Sequence, residues 1–282
     1  MQIKAFFDPD TSSLTYVVWD ADTRDAVVID PVLDFERTSW SIQTHSADAV
    51  SEFAREHSLR VRWVLDTHAH ADHLSGMAVL KKRFGAPTAI GAQITKVQSV
   101  FAGAFNLKEL PTDGRQWDVL LTDGQVLDAG ALKVEALHTP GHTPACISYR
   151  IGDALFSGDT LFMPDYGTGR CDFPQGSAAA MFDSVSRLYR LPDSTRVFVG
   201  HDYMPGGREL AWETTIGASK ARNIQLSAET SREAYIAFRA GRDQTLAAPA
   251  LLLQSLQVNI AAGELPAPED NGTRYLRMPL KV

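Results

Sequence analysis

Cysteine is nearly absent: the 282 residues contain two, Cys146 and Cys171. Two thiols so placed are neither a disulfide framework nor a zinc-knuckle spacing. No run of about 18 apolar residues occurs, which argues against a transmembrane helix. The stretch from Met1 to Asp10 has one lysine and no apolar run long enough for a signal peptide. Basic residues are in deficit, with 27 Lys plus Arg against 34 Asp plus Glu and a formal charge of −7. That excludes nucleic acid or an anionic membrane as the main partner. The expected address is the cytoplasm or another reducing compartment. With 44 % apolar and 22 % charged residues the composition is ordinary and globular. A chain of this length buries a large core without staples.

The apolar runs Leu14 to Asp20, Ala26 to Asp30 and Val61 to Leu65 read as strands. Ser46 is placed to cap a helix running to His57. Leu74, Met77 and Leu80 to Phe84 suggest a second helix, stopped by Gly85 and Pro87. Val119 to Leu137 is strand-rich, with a turn at Asp123-Gly124. Ile147 to Ile151 and Ala154 to Ser157 form a hairpin around Gly152. Ser177 starts a helix that Pro192 ends, and Arg196 to Val199 is the last clear strand. The region between 120 and 160 has strands without the crossover helices a parallel sheet requires. Two mixed sheets covered by helices are therefore expected, as a core over 1–215. A helical, then extended appendage over 216–282 is expected to pack on it. No element is assigned between Val100 and Trp117.

Four polar clusters follow apolar runs: His68-Ala69-His70-Ala71-Asp72-His73, Pro140-Gly141-His142-Thr143, Gly158-Asp159-Thr160 and Gly200-His201-Asp202. They hold five of the eight histidines. The other three, His45, His57 and His138, read as surface or capped residues. Burying five imidazoles and two carboxylates without a cation would leave polar groups unpaired, at about 1–3 kcal/mol each. A metal satisfies them together, and imidazole plus carboxylate without thiolate suits Zn, Fe or Mn.

Thr67 to His73, with His142, Asp159 and His201 downstream in that order, resembles the metallo-β-lactamase superfamily. The resemblance runs from the first strand to about residue 215. It implies an αββα sandwich with metal at one edge. Residues alone favour two metals: His68, His70 and His142 on one, Asp72, His73 and His201 on the other, Asp159 bridging. Glyoxalase II-like hydrolases use that arrangement, with a bridging hydroxide as nucleophile.

A second resemblance is narrower. Gly169-Arg170-Cys171-Asp172-Phe173-Pro174-Gln175-Gly176 is similar to the Gly-Arg-x-Asp-Phe-x-Gln-Gly signature of persulfide dioxygenases. His142-Thr143-Pro144-Ala145-Cys146 is similar to their His-Thr-Pro-Gly-Cys, with Ala145 in place of glycine, and His201-Asp202-Tyr203 matches their His-Asp-Tyr. The nearest subgroup is the bacterial β-lactamase-like hydrolase of sulfide-detoxification operons. The resemblance implies one Fe(II) per chain on His68, His142 and Asp159, with zinc as an alternative on purification. A two-histidine, one-carboxylate face leaves positions where O2 and a substrate sulfur meet. His70, Asp72, His73 and His201 then support the ligands or hold a second metal.

The implied reaction oxidises glutathione persulfide, or a related thiol persulfide, to sulfite and the free thiol. Arg170 is expected to hold the carrier's carboxylates, with a salt bridge to Asp172 as its structural alternative. Tyr203 is expected to donate its hydroxyl to the substrate or a water, with packing at the pocket wall as its alternative. Lys220 and Arg222 are candidates for an anion site, or for a solvated helix face. Cys146 and Cys171 lack a neighbouring base and are expected to be structural. A dinuclear thioester hydrolase is the alternative activity, and a metal-bound scaffold or sensor a third class. The Arg170 segment lends no support to β-lactam hydrolysis. A homodimer is expected from the family alone.

Overall fold

The computed structural model describes residues 1–280, so residues 281 and 282 of the expected appendage lie outside the described residues. The chain opens with β1 (Gln2–Asp8), β2 (Ser13–Trp19) and β3 (Asp25–Ile29), an antiparallel meander. After β4 (Val32–Glu36), β5 (Ser41–Gln43) and α1 (His45–Glu56), β6 (Arg60–Leu65) adds to β3 in parallel. Then come β7 (Leu74–Ser75), α2 (Met77–Phe84), β8 (Thr88–Gly91), α3 (Ile94–Ala104) and β9 (Val119–Leu121). The first sheet runs β1-β2-β3-β6-β8-β9, and β4, β5 and β7 form a small sheet beside it.

The second sheet starts as consecutive antiparallel hairpins, β10 (Val126–Ala129), β11 (Leu132–His138), β12 (Ile147–Ile151) and β13 (Ala154–Phe156). The crossover through α4 (Ala178–Leu188) brings β14 (Arg196–Phe198) in parallel beside β13, and β15 (Glu213–Thr215) closes the edge. Two mixed sheets face each other, as the absence of crossover helices between 120 and 160 implied.

Strand periodicity explains the layers. Leu14, Tyr16 and Val18 of β2 point into the sandwich with Val27, Ile29, Val134 and Tyr149. Val17, Val28 and Val64 point the other way, onto Val50, Met77, Leu80 and Ile94 of the helices. Met181, Val185 and Leu188 of α4 join the second sheet's apolar cluster. Beyond the sandwich lie α5 (Ile216–Arg222), α6 (Arg232–Asp243) and α7 (Leu252–Asn259).

Several sequence expectations need correction. Thr44, not Ser46, is the N-cap of α1; Ser46 donates its hydroxyl and N–H to Asp34 of β4 instead. Leu74 belongs to a two-residue strand rather than to α2. β1, β4, β5, β8 and β15 were not expected, being short or half-exposed. α3 extends to Ala104 in the stretch left without an assignment.

Candidate metal centre

The site forms where β3, β6, β11, β13 and β14 end, at one edge of the sandwich. The two sheets are tied there by Ile147 N–H to the Thr67 carbonyl at 2.9 Å and Tyr149 Oη–H to the Asp66 carbonyl at 2.8 Å. Gly158 sits at φ +49°, and a Cβ there would lie 2.5 Å from Thr67 Oγ1, so only glycine lets the Asp159 turn approach the His68 loop.

The ligand atoms of His68, His142 and Asp159 lie within 4.8 Å of one another, and all three residues are buried. Asp159 Oδ2 is 3.6 Å from His142 Nε2 and 3.9 Å from His68 Nε2. The opposite face of each ring is committed. Thr67 Oγ1 donates to Asp30 Oδ2 at 2.9 Å, so it accepts the Nδ1–H of His68 at 3.0 Å. His142 Nδ1 donates to the Arg170 carbonyl at 2.8 Å. Both Nε2 lone pairs are left facing Asp159, as a ligand set requires. Burial works against ionisation of His68 and pushes it well below the usual imidazole range, with protonated His70 adding to the effect. Burial would raise Asp159, but the charge of the adjacent His201 reverses this and holds it ionised.

His70, Asp72 and His201 form a second compact trio. His70 Nε2 donates to Asp30 Oδ1 at 3.0 Å, and His201 Nε2 lies 3.2 Å from Asp159 Oδ1. Burial opposes the charge on both rings. Asp30, with Asp66 and Asp72, nevertheless carries His70 up to about 9, and Asp159 with Asp72 carries His201 up to about 10. His73 Nδ1 meets Asp72 Oδ2 and Ser13 Oγ, each at 3.0 Å. His70 thus groups with Asp72 and His201, and its ring centroid also lies 4.1 Å from that of His68.

The donor set fits a cation. His68 Nε2, His70 Nδ1 and His73 Nε2 are buried without a hydrogen-bond partner. Asp159 Oδ1 also lacks an aligned one. Two imidazoles and a carboxylate suit Zn, Fe or Mn.

Beside the first trio lies a cavity of about 310 Å³, whose wall includes His142, Asp159, Arg170, Tyr203, Arg239 and Arg242. Arg170 forks onto both oxygens of Asp172, at 2.6 Å each, and donates to the Ala247 carbonyl at 2.7 Å. Tyr203 stacks on His201 at 5.6 Å and on Tyr166 at 4.6 Å between ring centroids. Lys220 and Arg222 are not brought to this cavity. Lys220 is held by Asp193 at 2.6 Å, and Arg222 is exposed beside a groove lined by Pro164 and Asp165. Burial raises the Cys146 and Cys171 thiols to about 12, so both are protonated at neutral pH.

Other residues of the site had no assignment from the sequence. Asp30, which closes an apolar strand, accepts from Thr67 and His70. On α6, Arg239 is buried and paired with Asp243, an i,i+4 spacing visible in the sequence. Asp243 in turn accepts the Cys171 N–H at 2.9 Å. Arg242, one residue earlier, pairs with no carboxylate among the described residues.

A sequence profile described as the Metallo-beta-lactamase superfamily matches residues 8–201. The chain belongs to the metallo-beta-lactamase superfamily. It is 49 % identical over 281 residues to the "Beta-lactamase hydrolase-like protein" of Xylella fastidiosa (strain Temecula1), covering 100 % of this chain and 65 % of that protein. The chain therefore spans just under two thirds of that relative's length. "Glyoxylase B2" of Dictyostelium discoideum is 42 % identical, covering 99 % of this chain and 97 % of its own. "Persulfide dioxygenase ETHE1, mitochondrial" of Bos taurus is 30 % identical over 204 residues, 71 % of this chain and 68 % of its own. The crystal structure of ETHE1 from Myxococcus xanthus superposes with a TM-score of 0.75 at 32 % identity, over 94 % of this chain and 100 % of that one. Among the described residues no helix is long and apolar enough to cross a membrane.

Proposed function

We propose that this member of the superfamily is an iron-dependent persulfide dioxygenase acting on glutathione persulfide or a related thiol persulfide, in sulfide detoxification. One observation carries the reading. The loop whose sequence resembles persulfide dioxygenases is the loop that shapes the first trio. Arg170 accepts the Nδ1–H of His142 on its carbonyl. Gly169 packs so closely on the Asp159 carbonyl that a side chain there has no room. Similarity to the bovine persulfide dioxygenase supports the same reading.

When bound at His68, His142 and Asp159, iron would supply the oxygen chemistry that side chains lack. The overall change is RSSH + O2 + H2O → RSH + SO3²⁻ + 2H⁺: the S–S bond breaks, the outer sulfur is oxidised and the carrier leaves as thiol. This chain's own residues bind and orient the carrier. Arg242 offers the carrier carboxylate a guanidinium that no protein carboxylate neutralises. Arg170, steadied by Asp172, forms the adjoining wall, and Tyr203 lines the same cavity. The reactants are small molecules, the compartment is cytoplasmic, and a homodimer is the expected assembly.

A second reading, a dinuclear thioester hydrolase, is favoured by the His70, Asp72 and His201 trio and by the similarity to Glyoxylase B2. Iron-loaded protein in an oxygen electrode separates the two. Oxygen uptake with glutathione persulfide and matching sulfite supports the dioxygenase. Cleavage of S-lactoylglutathione that needs no oxygen and persists with zinc overturns it.

A further inference from the structure

The ligand loop from His68 to His73 leaves β6 and returns into the two-residue strand β7. It holds three imidazoles in a buried position, yet has no regular secondary structure to fix its backbone. Buried carbonyls and N–H groups need partners, and three of these come from one side chain far along the chain. Asn259, the last residue of α7, is 1 % exposed. Its Nδ2 donates to the His70 carbonyl at 2.7 Å and to the His73 carbonyl at 2.8 Å. Its Oδ1 accepts the N–H of Ser75 at 2.7 Å. Both amide hydrogens and the amide oxygen are therefore engaged by one loop.

The side chain is itself well anchored. Leu256 and Ile260 on either side are fully buried in the apolar cluster beneath the helices. Just beyond, Gly263 presses on the loop closely enough that a Cβ would lie 2.7 Å from the Ser75 carbonyl oxygen. Residue 259 lies outside the stretch 8–201 that carries the family match. We infer that Asn259 is a positioning residue of the metal centre, fixing the backbone from which His68, His70, Asp72 and His73 project. The centre is then built from both ends of the chain, and the tail sets how tightly it holds a cation. Whichever reaction the bound cation serves, this assignment is the same.

The geometry dictates the test. Metal-free protein is titrated with Co(II) alone, reading the visible absorption of the bound ion and its affinity, and the melting temperature of the metal-free form is recorded. Asn259→Ala is compared with Gln98→Ala. Gln98 is also buried and bonds the adjacent tail carbonyl, Ile260, at 2.9 Å, but touches no ligand loop. Both variants lower the melting temperature. Only Asn259→Ala is expected to weaken Co(II) binding, by about 10- to 100-fold, and to alter the absorption of the bound ion. Asn259→Asp keeps the acceptor for Ser75 and removes the two donors; it is expected to show the same loss if the alanine variant does not fold. Wild-type affinity and spectrum in the Asn259 variants, or an equal loss in Gln98→Ala, would overturn the assignment.

Discussion

Two trios of similar composition lie side by side, and they are wired differently. In the first, His68 and His142 rest on neutral acceptors, Thr67 Oγ1 and the Arg170 carbonyl. In the second, His70 rests on a carboxylate, Asp30, and His201 faces Asp159. A neutral acceptor orients an imidazole without charging it; a buried carboxylate favours the protonated ring. His68 therefore presents a free lone pair at neutral pH, while His70 and His201 carry protons. Their surroundings differ as well. The first opens on the cavity with Arg170, Arg239 and Arg242, whereas Asp72 and His73 also border a cleft of about 340 Å³ that carries Asp8, Asp10, Asp34 and Glu36. For His70 the Asp30 carboxylate on one ring nitrogen favours the charged ring; for His201 the nearby Asp159 and Asp72 do so.

The sharpest way to break this contrast is to remove one carboxylate from each trio. Asp159→Ala is expected to lower Co(II) or Fe(II) affinity by more than about 100-fold, and Asp72→Ala by about 10- to 100-fold, as a group outside the primary ligands. Equal losses in titrations of the two metal-free variants would show that the trios are equivalent.

Substrate binding gives the next largest effect. Arg242→Ala is expected to raise KM for glutathione persulfide about 10-fold, the value of one charged hydrogen bond, with kcat and metal content unchanged. Arg170→Lys keeps the charge but loses the fork to Asp172, and is expected to raise KM with iron content unchanged. An unaltered KM in steady-state oxygen uptake removes the residue concerned from the binding wall.

A pH titration sharpens the contrast further. His70 and His201 are raised to about 9 and 10, so below those values both keep protons in the metal-free protein. Their ion pairs stabilise the fold at neutral pH, and that contribution is lost as pH rises through the raised values. A cation entering the second trio must displace these protons. Its affinity is expected to climb between pH 7 and 9, with proton release in calorimetry, while the first trio changes less because His68 is already neutral. A second-site affinity that is flat with pH would contradict the wiring.

The smallest effect concerns the thiols. With both raised to about 12, thiolate is scarce at pH 8, and neither Cys146 nor Cys171 should react with iodoacetamide until the protein unfolds. Rapid native labelling, read by mass spectrometry, would show a more exposed or more acidic thiol.

The ligands were legible because each follows a strand end that the apolar runs mark, and strand ends on one edge converge. Asp30 was readable as a strand terminus but not as an anchor, since nothing local tells that Thr67 and His70 will reach it. Of the cationic candidates Arg170 lines the cavity, while Lys220 and Arg222, on α5, do not; Arg239 and Arg242 of α6 line it as well. Helical charge spacing says which residues share a face, not which face meets a cavity. Asn259 was invisible for the same reason: its partners lie 184 to 189 residues away in the chain. β8 escaped because four residues between Pro87 and an adjoining helix carry too little alternation to read.

The most direct test of the central claim, that one trio holds the working metal, is the metal content of fully active protein. Protein purified without oxygen, loaded with iron and desalted would be assayed for oxygen uptake with glutathione persulfide and analysed by mass spectrometry for every transition metal. The account predicts activity that saturates at about one iron per chain. Activity that appears only when two metal ions are bound per chain would contradict it.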